Sequence, residues 1–599
     1  WSVDDGLSSS VFLNNASGIE LTVRPTLYNL SGKQLVINPI TLGARRQITA
    51  NIADWLNQNN ADDSFKQGNL ILNYEAENAT LLGSQVVITK AASSLSFDVP
   101  VAMPTSFESS RLEGIWWRPN EASRYDLVLS NMQGSSVEVK VAVSGSHGLK
   151  DADFDITLAP HQTEVVNLED NQGGFAAELG KMGTVSITHT GVPGAVVASG
   201  MLSEDKKGFS SRFVFEDPAA SRSQTLAAAH IMIDRPDVPG FSAETSFTTV
   251  ALVGNAGEEV MEVTPAVSFV SNDKPGSVRL RTRKLERHEV KAIDVGEELR
   301  REGIRGAIKG AGLTLSHTGE TGTLVAQLTS HDQTGNHVFD VPLKDPAIRV
   351  NQQGGSYLWN IAGDFQNIIH VRNTTDEEAH FTIQLNFESG SYALPLQVVA
   401  PQQEVAIDIR RLRDNQTPDS IRRVIPKEVS SGQVTWRKFG PQVLTGRLEV
   451  FSKSLARASS FSCVSECFCD PSLENIFFDP FSIIGVPGGI GFVQLLMTTT
   501  NRCNANEGPF DISTSATWSS SNTNVITTGL VGSSGCQYTG VGPGNASVIA
   551  RFQLPTSGIP DLGNGCPPPL QGPTTLSIPA RVNPTVTISG LNNIPLGAS

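Results

Sequence analysis

Apolar and polar residues alternate with a period of two along most of this chain. Val137, Val139, Val141 and Val143, for instance, are interleaved with Glu138, Lys140 and Ala142. Successive side chains of an extended chain point to opposite faces, so such a segment turns one face to a core and the other to water. The segments are short and separated by Gly, Pro and Asn turns. About seven of them per ~100–120 residues is the pattern of an antiparallel β-sandwich. No amphipathic helices of about 10–15 residues stand between them, which argues against a parallel sheet with crossover helices.

The pattern also repeats. Strands ending in asparagine recur as "SSSVFLNN" to Asn14, "RYDLVLSN" to Asn131, "FTTVALVGN" to Asn255 and "NIIHVRN" to Asn373. A near-constant spacing of about 120 residues is a whole domain rather than a solenoid turn. Other landmarks keep step. "TLGARRQITANI", "LAPHQTEVVNL", "KLERHEVKAIDV" and "VVAPQQEVAIDI" each open a strand after a turn, and a short helix is expected after it, as in "ADWLNQ" (53–58) and "GEELRREG" (296–303). Closing strands run through "FDVP" (97–100), "FVFEDP" (213–218) and "FDVPLKDP" (339–346), and three copies open near a tryptophan: Trp1, Trp116 with Trp117, and Trp359. The expected fold is all-β, a tandem array of antiparallel Ig-like β-sandwich domains. Residues 1–108, 109–222, 223–350 and 351–466 are the four repeats, 467–585 is a different module, and 586–599 starts a further domain.

Two copies place a histidine before Thr-Gly, His189 in "SITHTG" and His317 in "LTLSHTG". A catalytic or metal-binding histidine needs further ligands or a base beside it. The other two copies lack the histidine altogether. Thr-Gly is turn chemistry in which glycine takes positive φ. Both histidines are therefore expected to be structural parts of a hairpin.

Length and composition sharpen this reading. At 599 residues the chain exceeds the ~250–300 residues at which one hydrophobic core stops growing. No apolar run reaches the ~18 residues of a membrane span. The longest, "SIIGVPGGIGFVQLLM" (482–497), is broken by Pro487 and three glycines and is expected to be core strand. A net charge of −15 argues against nucleic acid as a partner. Cys463, Cys467, Cys469, Cys503, Cys536 and Cys566 all lie in the last quarter. An even, clustered set among Gly, Pro, Ser and Thr reads as disulfides made outside the cytoplasm, with connectivity open. The C-x3-C-x-C spacing of 463–469 lacks the paired knuckles of a structural zinc site. An exported chain carries a signal peptide, none precedes Trp1, and the sequence is expected to be a processed or incomplete form.

After Cys469 charged residues become rare. Here Trp518-Ser519-Ser520-Ser521-Asn522, Val525, Gly529-Leu530-Val531 and Gly540-Val541 stand in order, followed by Gly544-Asn545-Ala546-Ser547-Val548-Ile549-Ala550. This stretch, 516–552, resembles the bacterial group 2 Ig-like domain. The resemblance implies a non-catalytic spacer or adhesive module of a bacterial surface protein. Cys503, Cys536 and the insert "CPPPLQGP" (566–573) depart from the family pattern. Trp518 is expected in an intersheet core, and Gly540, Gly542 and Gly544 in a tight hairpin before the strand Ala546–Phe552.

No nucleophile elbow, Walker A loop, H-E-x-x-H or EF-hand loop is present. Asp4-Asp5 and Asp62-Asp63 lie in polar loops without the six to eight oxygens of a calcium site. "VRLRTRKLERHEV" (278–290) is expected to set Arg279, Arg281 and Arg283 on one strand face, a contact for a polyanion or a neighbouring subunit. No cofactor, metal or catalytic residue is expected. The expected function is a non-catalytic, secreted structural or adhesive protein of a bacterial surface. Its expected partner is itself, through a filament built by donated terminal strands, or a surface or matrix polymer. The alternatives are a carbohydrate-binding accessory protein and the non-catalytic part of a larger secreted enzyme.

Overall fold

In the computed structural model the alternating segments pair into five successive sets of two sheets. Residues 16, 76–81, 104–105, 146–149, 169–179, 235–240, 242–244, 272–273, 307, 335–336, 350–353, 453–456, 463–471, 481, 501–505, 531–535, 553–573 and 584–599 lie outside the described chain. The protein is an all-β tandem array of antiparallel β-sandwiches. The single parallel pairing among the described strands joins Ile483–Gly485 to Thr574–Val582.

The second sandwich illustrates the plan. One sheet runs Thr163–Asn167, Arg124–Asn131, Val196–Glu204, Phe209–Val214; the other runs Lys150–Leu158, Val137–Ser144, Met182–His189, Arg111–Trp117. The valines of 137–143 are buried, while Glu138 and Lys140 are exposed, as the alternation requires. In three units short helices follow the strand that pairs at the edge with the asparagine-ended strand. They span Ile52–Gln58, Val295–Arg301 and Ile409–Asp414, and the side chains of Asn51, Asp294 and Asp408 cap them. Each cap satisfies a backbone N–H that the first helical turn leaves open.

One asparagine locks each of the first four sandwiches, and in the first it is Asn15 rather than the expected Asn14. The Asn15 Nδ2 donates to the carbonyls of Ile19, Leu42 and Gly43. Asn131 donates to Ser135, Leu158 and Ala159, Asn255 to Glu259, Leu285 and Glu286, and Asn373 to Glu377, Val399 and Ala400. All four are completely buried. Each ties two turns together, and the second turn holds a non-glycine residue at positive φ: Arg45 at 56°, His161 at 55°, His288 at 55° and Gln402 at 59°. That conformation costs energy in an L-residue, and the three amide contacts beside it hold the turn in place.

The first four sandwiches close into a ring. One edge strand from each, Leu95–Pro100, Phe209–Val214, Val338–Val341 and Arg457–Ser462, meets the next in sequence, and the fourth returns to the first. Ser96 N donates to Ser210 Oγ at 2.9 Å and Ser210 Oγ donates back to Ser96 O at 2.8 Å. Ser211 Oγ and Arg212 N donate to the Asp340 carboxylate at 2.5 and 2.7 Å. These four edge strands are thereby covered, which removes the usual route to edge-to-edge pairing along them. The fifth sandwich docks on the fourth, where Ala393, Leu396 and Phe439 join its core and Arg437 Nε meets Glu507 at 3.1 Å.

Several expectations need correction. Cys536, expected in a disulfide, is a free thiol in the core of the fifth sandwich; Cys463, Cys467, Cys469, Cys503 and Cys566 lie outside the described residues. Burial pushes the Cys536 thiol up to about 11, and the thiolate is the reactive form. Alkylation of the native protein should therefore leave Cys536 unmodified and label it only after denaturation, as read by peptide mass spectrometry. Gly540 and Gly544 do not close a hairpin: the strands they end and begin, Cys536–Gly540 and Gly544–Phe552, belong to opposite sheets. Trp518 packs at the edge of the core, half-buried, with its Nε1 donating to Ser513 O. Trp1 N donates to Gly68 O at 2.9 Å and Ser2 bridges Gln67, so these residues pair within the first sandwich of their own chain.

Candidate functional site

The residue before each locking asparagine points the other way, out of its own core and into the junction with the preceding member of the ring. These residues are Asn14, Ser130, Gly254 and Arg372, and their cross-strand partners are Gln47, Thr163, Val290 and Glu404. Each junction thus has its own chemistry. Between first and second sandwiches, Asn69 Nδ2 donates to Thr163 Oγ1 at 3.1 Å and Tyr28 stacks on His161 at 4.2 Å. Between second and third, the core runs on without a break through Leu252, Val290 and Val325. Between fourth and first, Gln433 Nε2 donates to Asn14 Oδ1 at 2.8 Å, and Asn14 Nδ2 donates to Ser356 Oγ at 2.9 Å.

The junction of third and fourth sandwiches concentrates the titratable groups. Along Gln366–Asn373, Ile369 and Val371 enter the core while His370 and Arg372 face the third sandwich. Leu448 likewise alternates with Arg447 and Glu449, all fully buried. Arg372 donates to Ala228 O at 2.8 Å and Leu313 O at 3.1 Å. It passes over Gly312, where an added Cβ would sit 2.4 Å from its Nε. Arg447 donates to His230 O at 3.0 Å and pairs with Glu449 at 2.7 Å. His370 lies between two carboxylates, its Nδ1 3.3 Å from Glu404 and its Nε2 3.3 Å from Glu449. His230 contributes its Nδ1 to both Glu404 oxygens at 3.0 Å.

His230, His370 and Glu404 bring three ligand atoms within 4.8 Å of one another, and a metal centre is the first reading to test. The imidazoles are stacked, with centroids 3.8 Å apart and 12° between their planes. Their in-plane lone pairs run side by side and do not converge on the one point, about 2.0–2.1 Å from each nitrogen, that a shared zinc would occupy. The arrangement instead suits protons. An ionised Glu404 accepts an N–H from each ring, and His370 sits as an imidazolium between two carboxylates. Burial opposes that charge, but Glu449 and Glu404 outweigh it and hold the His370 pKa up to about 9. Burial likewise raises Glu404 and Glu449, yet His230 and His370 bring Glu404, and Arg447 with the two histidines brings Glu449, down to about 2. Neighbouring opposite charge wins over desolvation here because every charge has a partner.

The sign of the resulting pH dependence follows. A raised His370 contributes stability that is complete below its ordinary 6.5 and is lost as pH rises through about 9. The depressed carboxylates contribute stability that is complete above 4.5 and is lost as pH falls through about 2. The urea midpoint of the wild-type chain should fall between pH 6.5 and 9, and His370→Asn should flatten that slope. Equal slopes in both proteins would contradict the assignment.

The residues singled out in the sequence fall elsewhere. His189 and His317 end equivalent strands, Met182–His189 and Ile308–His317, and burial lowers both pKa values. The positive φ of each turn belongs to Gly194 and Gly322, not to the glycine after Thr. Arg279, Arg281 and Arg283 do not share one strand: Arg279 ends one, Arg283 begins the next, and Arg281 lies between them. Arg283 pairs with the buried Glu298 at 2.9 Å, while Arg279 and Arg281 are exposed. Asp62 pairs with Lys33, and Asp5 pairs with Lys90 at 2.8 Å. The junction cluster escaped sequence reading because charged residues at every second position look the same on a solvated face and on a buried one. The signal available was the pair of alternating charged strands, "HVRN" and "RLEV", confined to one copy.

No protein-family model matches the chain, including the stretch at 516–552, and no curated protein matches it. Among solved structures, domains 4 and 5 of the S-layer protein SbsC align at 10% identity over 35% of this chain and 99% of that chain, with a TM-score of 0.14. SbsC domains 1–6 align at 9% identity over 85% of this chain and 53% of that chain, with a TM-score of 0.15. Elastase-activated alpha-2-macroglobulin of Escherichia coli aligns at 8% identity over 96% and 53%, with a TM-score of 0.10. Likeness at these scores carries no argument about function. In the described chain no helix is long and apolar enough to cross a membrane.

Proposed function

We propose that this chain is a non-catalytic structural protein of the bacterial cell surface, acting through self-association or contact with a surface polymer. The observation that carries this reading is the closed ring, in which buried side chains of different chemistry serve to hold one sandwich against the next. A closed ring presents broad lateral surfaces, as a coat-forming unit requires. The fifth sandwich adds a surface for partners. Ile484, Val486, Ile490 and Phe492 are 71, 51, 63 and 43% exposed along one segment, and exposed apolar patches mark contact sites. The bacterial and extracellular parts of the proposal rest on the resemblance at 516–552. Immunogold labelling of intact cells that make the protein should decorate their outer surface. Label that enters only after permeabilisation would overturn the proposal.

A further inference from the structure

Three junctions of the ring join sandwiches that follow one another in sequence. The fourth, between the fourth and first sandwiches, has no chain running directly across it. The hydrogen bonds across it run between amides and hydroxyls, Asn14 with Ser356 and Gln433, or end on backbone carbonyls, Gln47 Nε2 on Trp359 O at 3.4 Å and the Arg46 guanidinium on Glu388 O at 3.0 Å. Cavities interrupt it on two sides. One of about 410 Å³ is lined by Arg46, Gln47, Asn386 and Glu388, and another of about 380 Å³ by Phe12, Gln47, Leu358 and Trp359. The first sandwich is also separated from the second by a cavity of about 620 Å³, lined by Leu7, Ile88, Val99, Val128 and Met201. Clefts that open at a junction leave less surface in contact to hold its two sides together. Between the third and fourth sandwiches, by contrast, the charged cluster is joined by the packed rings of Phe241, Phe247, Phe339 and Phe451.

We propose that the first sandwich is an exchangeable unit, and that its seat between the second and fourth sandwiches can be filled by the first sandwich of a second copy of this chain. The two faces of each junction are different surfaces, so every chain carries one complete complementary set, and a copy fits as well as the chain's own unit. Residues 101–110 connect the strand ending at Pro100 to the strand beginning at Arg111. Val101 N donates to Ser84 O and Glu108 N to Asp217 Oδ2, so about six residues between them are left to extend, and these reach about 20–22 Å while the sandwich leaves its seat tethered. Reciprocal exchange gives a closed dimer, and exchange in one direction gives an open head-to-tail chain. This deepens the structural reading above by naming the partner, but its test measures assembly alone and can fail while a surface location stands.

The test uses full-length chains with a charge swap across the closing junction. Asn14→Lys and Gln433→Glu each oppose closure within their own chain. The double variant restores it as an ion pair and should stay monomeric. Mixed in equal amounts, the two single variants offer one Lys–Glu seat and one wild-type seat, and should sediment at twice the monomer mass. A mixture that stays at the monomer mass overturns the proposal. If either single variant fails to fold, wild-type chains, one ¹⁵N-labelled and one unlabelled, are incubated together in mild urea and returned to buffer. Native mass spectrometry then supports exchange by a mixed-mass dimer and overturns it by unmixed monomers alone.

Discussion

Glu449→Leu should destabilise the chain by about 3–5 kcal/mol, because it leaves the buried Arg447 without its paired carboxylate and His370 with one of its two. Glu449 is completely buried, 2.7 Å from Arg447 and 3.3 Å from His370. Removing one partner of such a network costs more than removing the whole of it, since well-packed apolar replacements of a buried ion pair are often neutral. The combination Arg447→Met with Glu449→Leu should therefore recover most of the loss. The urea transition that reports the third and fourth sandwiches measures both. A single variant as stable as wild type would mean that water reaches the cluster.

Asn255→Asp is expected to be comparably damaging, roughly 3 kcal/mol or more. The substitution barely changes shape but replaces an NH2 group that donates to three carbonyls, those of Glu259, Leu285 and Glu286. A carboxylate there keeps the Gly257 N–H on one oxygen at 2.9 Å but turns its other oxygen on three acceptors, in a site without solvent. The neighbouring turn, with His288 at φ 55°, loses its brace at the same time. Asn255→Ala should cost less, since it orphans the carbonyls without adding like-signed oxygen. Thermal unfolding of the two variants side by side tests the order as well as the size. Equal effects would show that the amide acts by shape alone.

The sandwich architecture was legible because its cause is local: period-two alternation and turn residues are written in consecutive positions. The recurrence of the locking asparagine was legible too, but its register was not. "FLNN" offers Asn14 and Asn15 with nothing to choose between them. The choice is made by direction, since alternate residues face opposite ways: Asn15 braces its own turns and Asn14 reaches the fourth sandwich. Ring closure was beyond reach for a different reason. It depends on the angle between successive sandwiches, set by junction residues far apart in sequence, such as Asn14 with Gln433 and His230 with Glu404. Their charges read locally as surface. The arginines at 279–283 failed in the opposite sense, because Leu280–Thr282 interrupts the strand that the alternation implied.

Ring closure is the central claim, and a distance between its first and last members tests it most directly. Arg46 and Glu388 are exposed, and the guanidinium of one reaches the carbonyl of the other at 3.0 Å. Spin labels introduced at these two positions through unnatural amino acids leave the native cysteines untouched. Pulsed dipolar spectroscopy of the dilute protein should return one short, narrow distance. A long, broad distribution, as expected when the second and third sandwiches separate the labels along an open string, would contradict the ring.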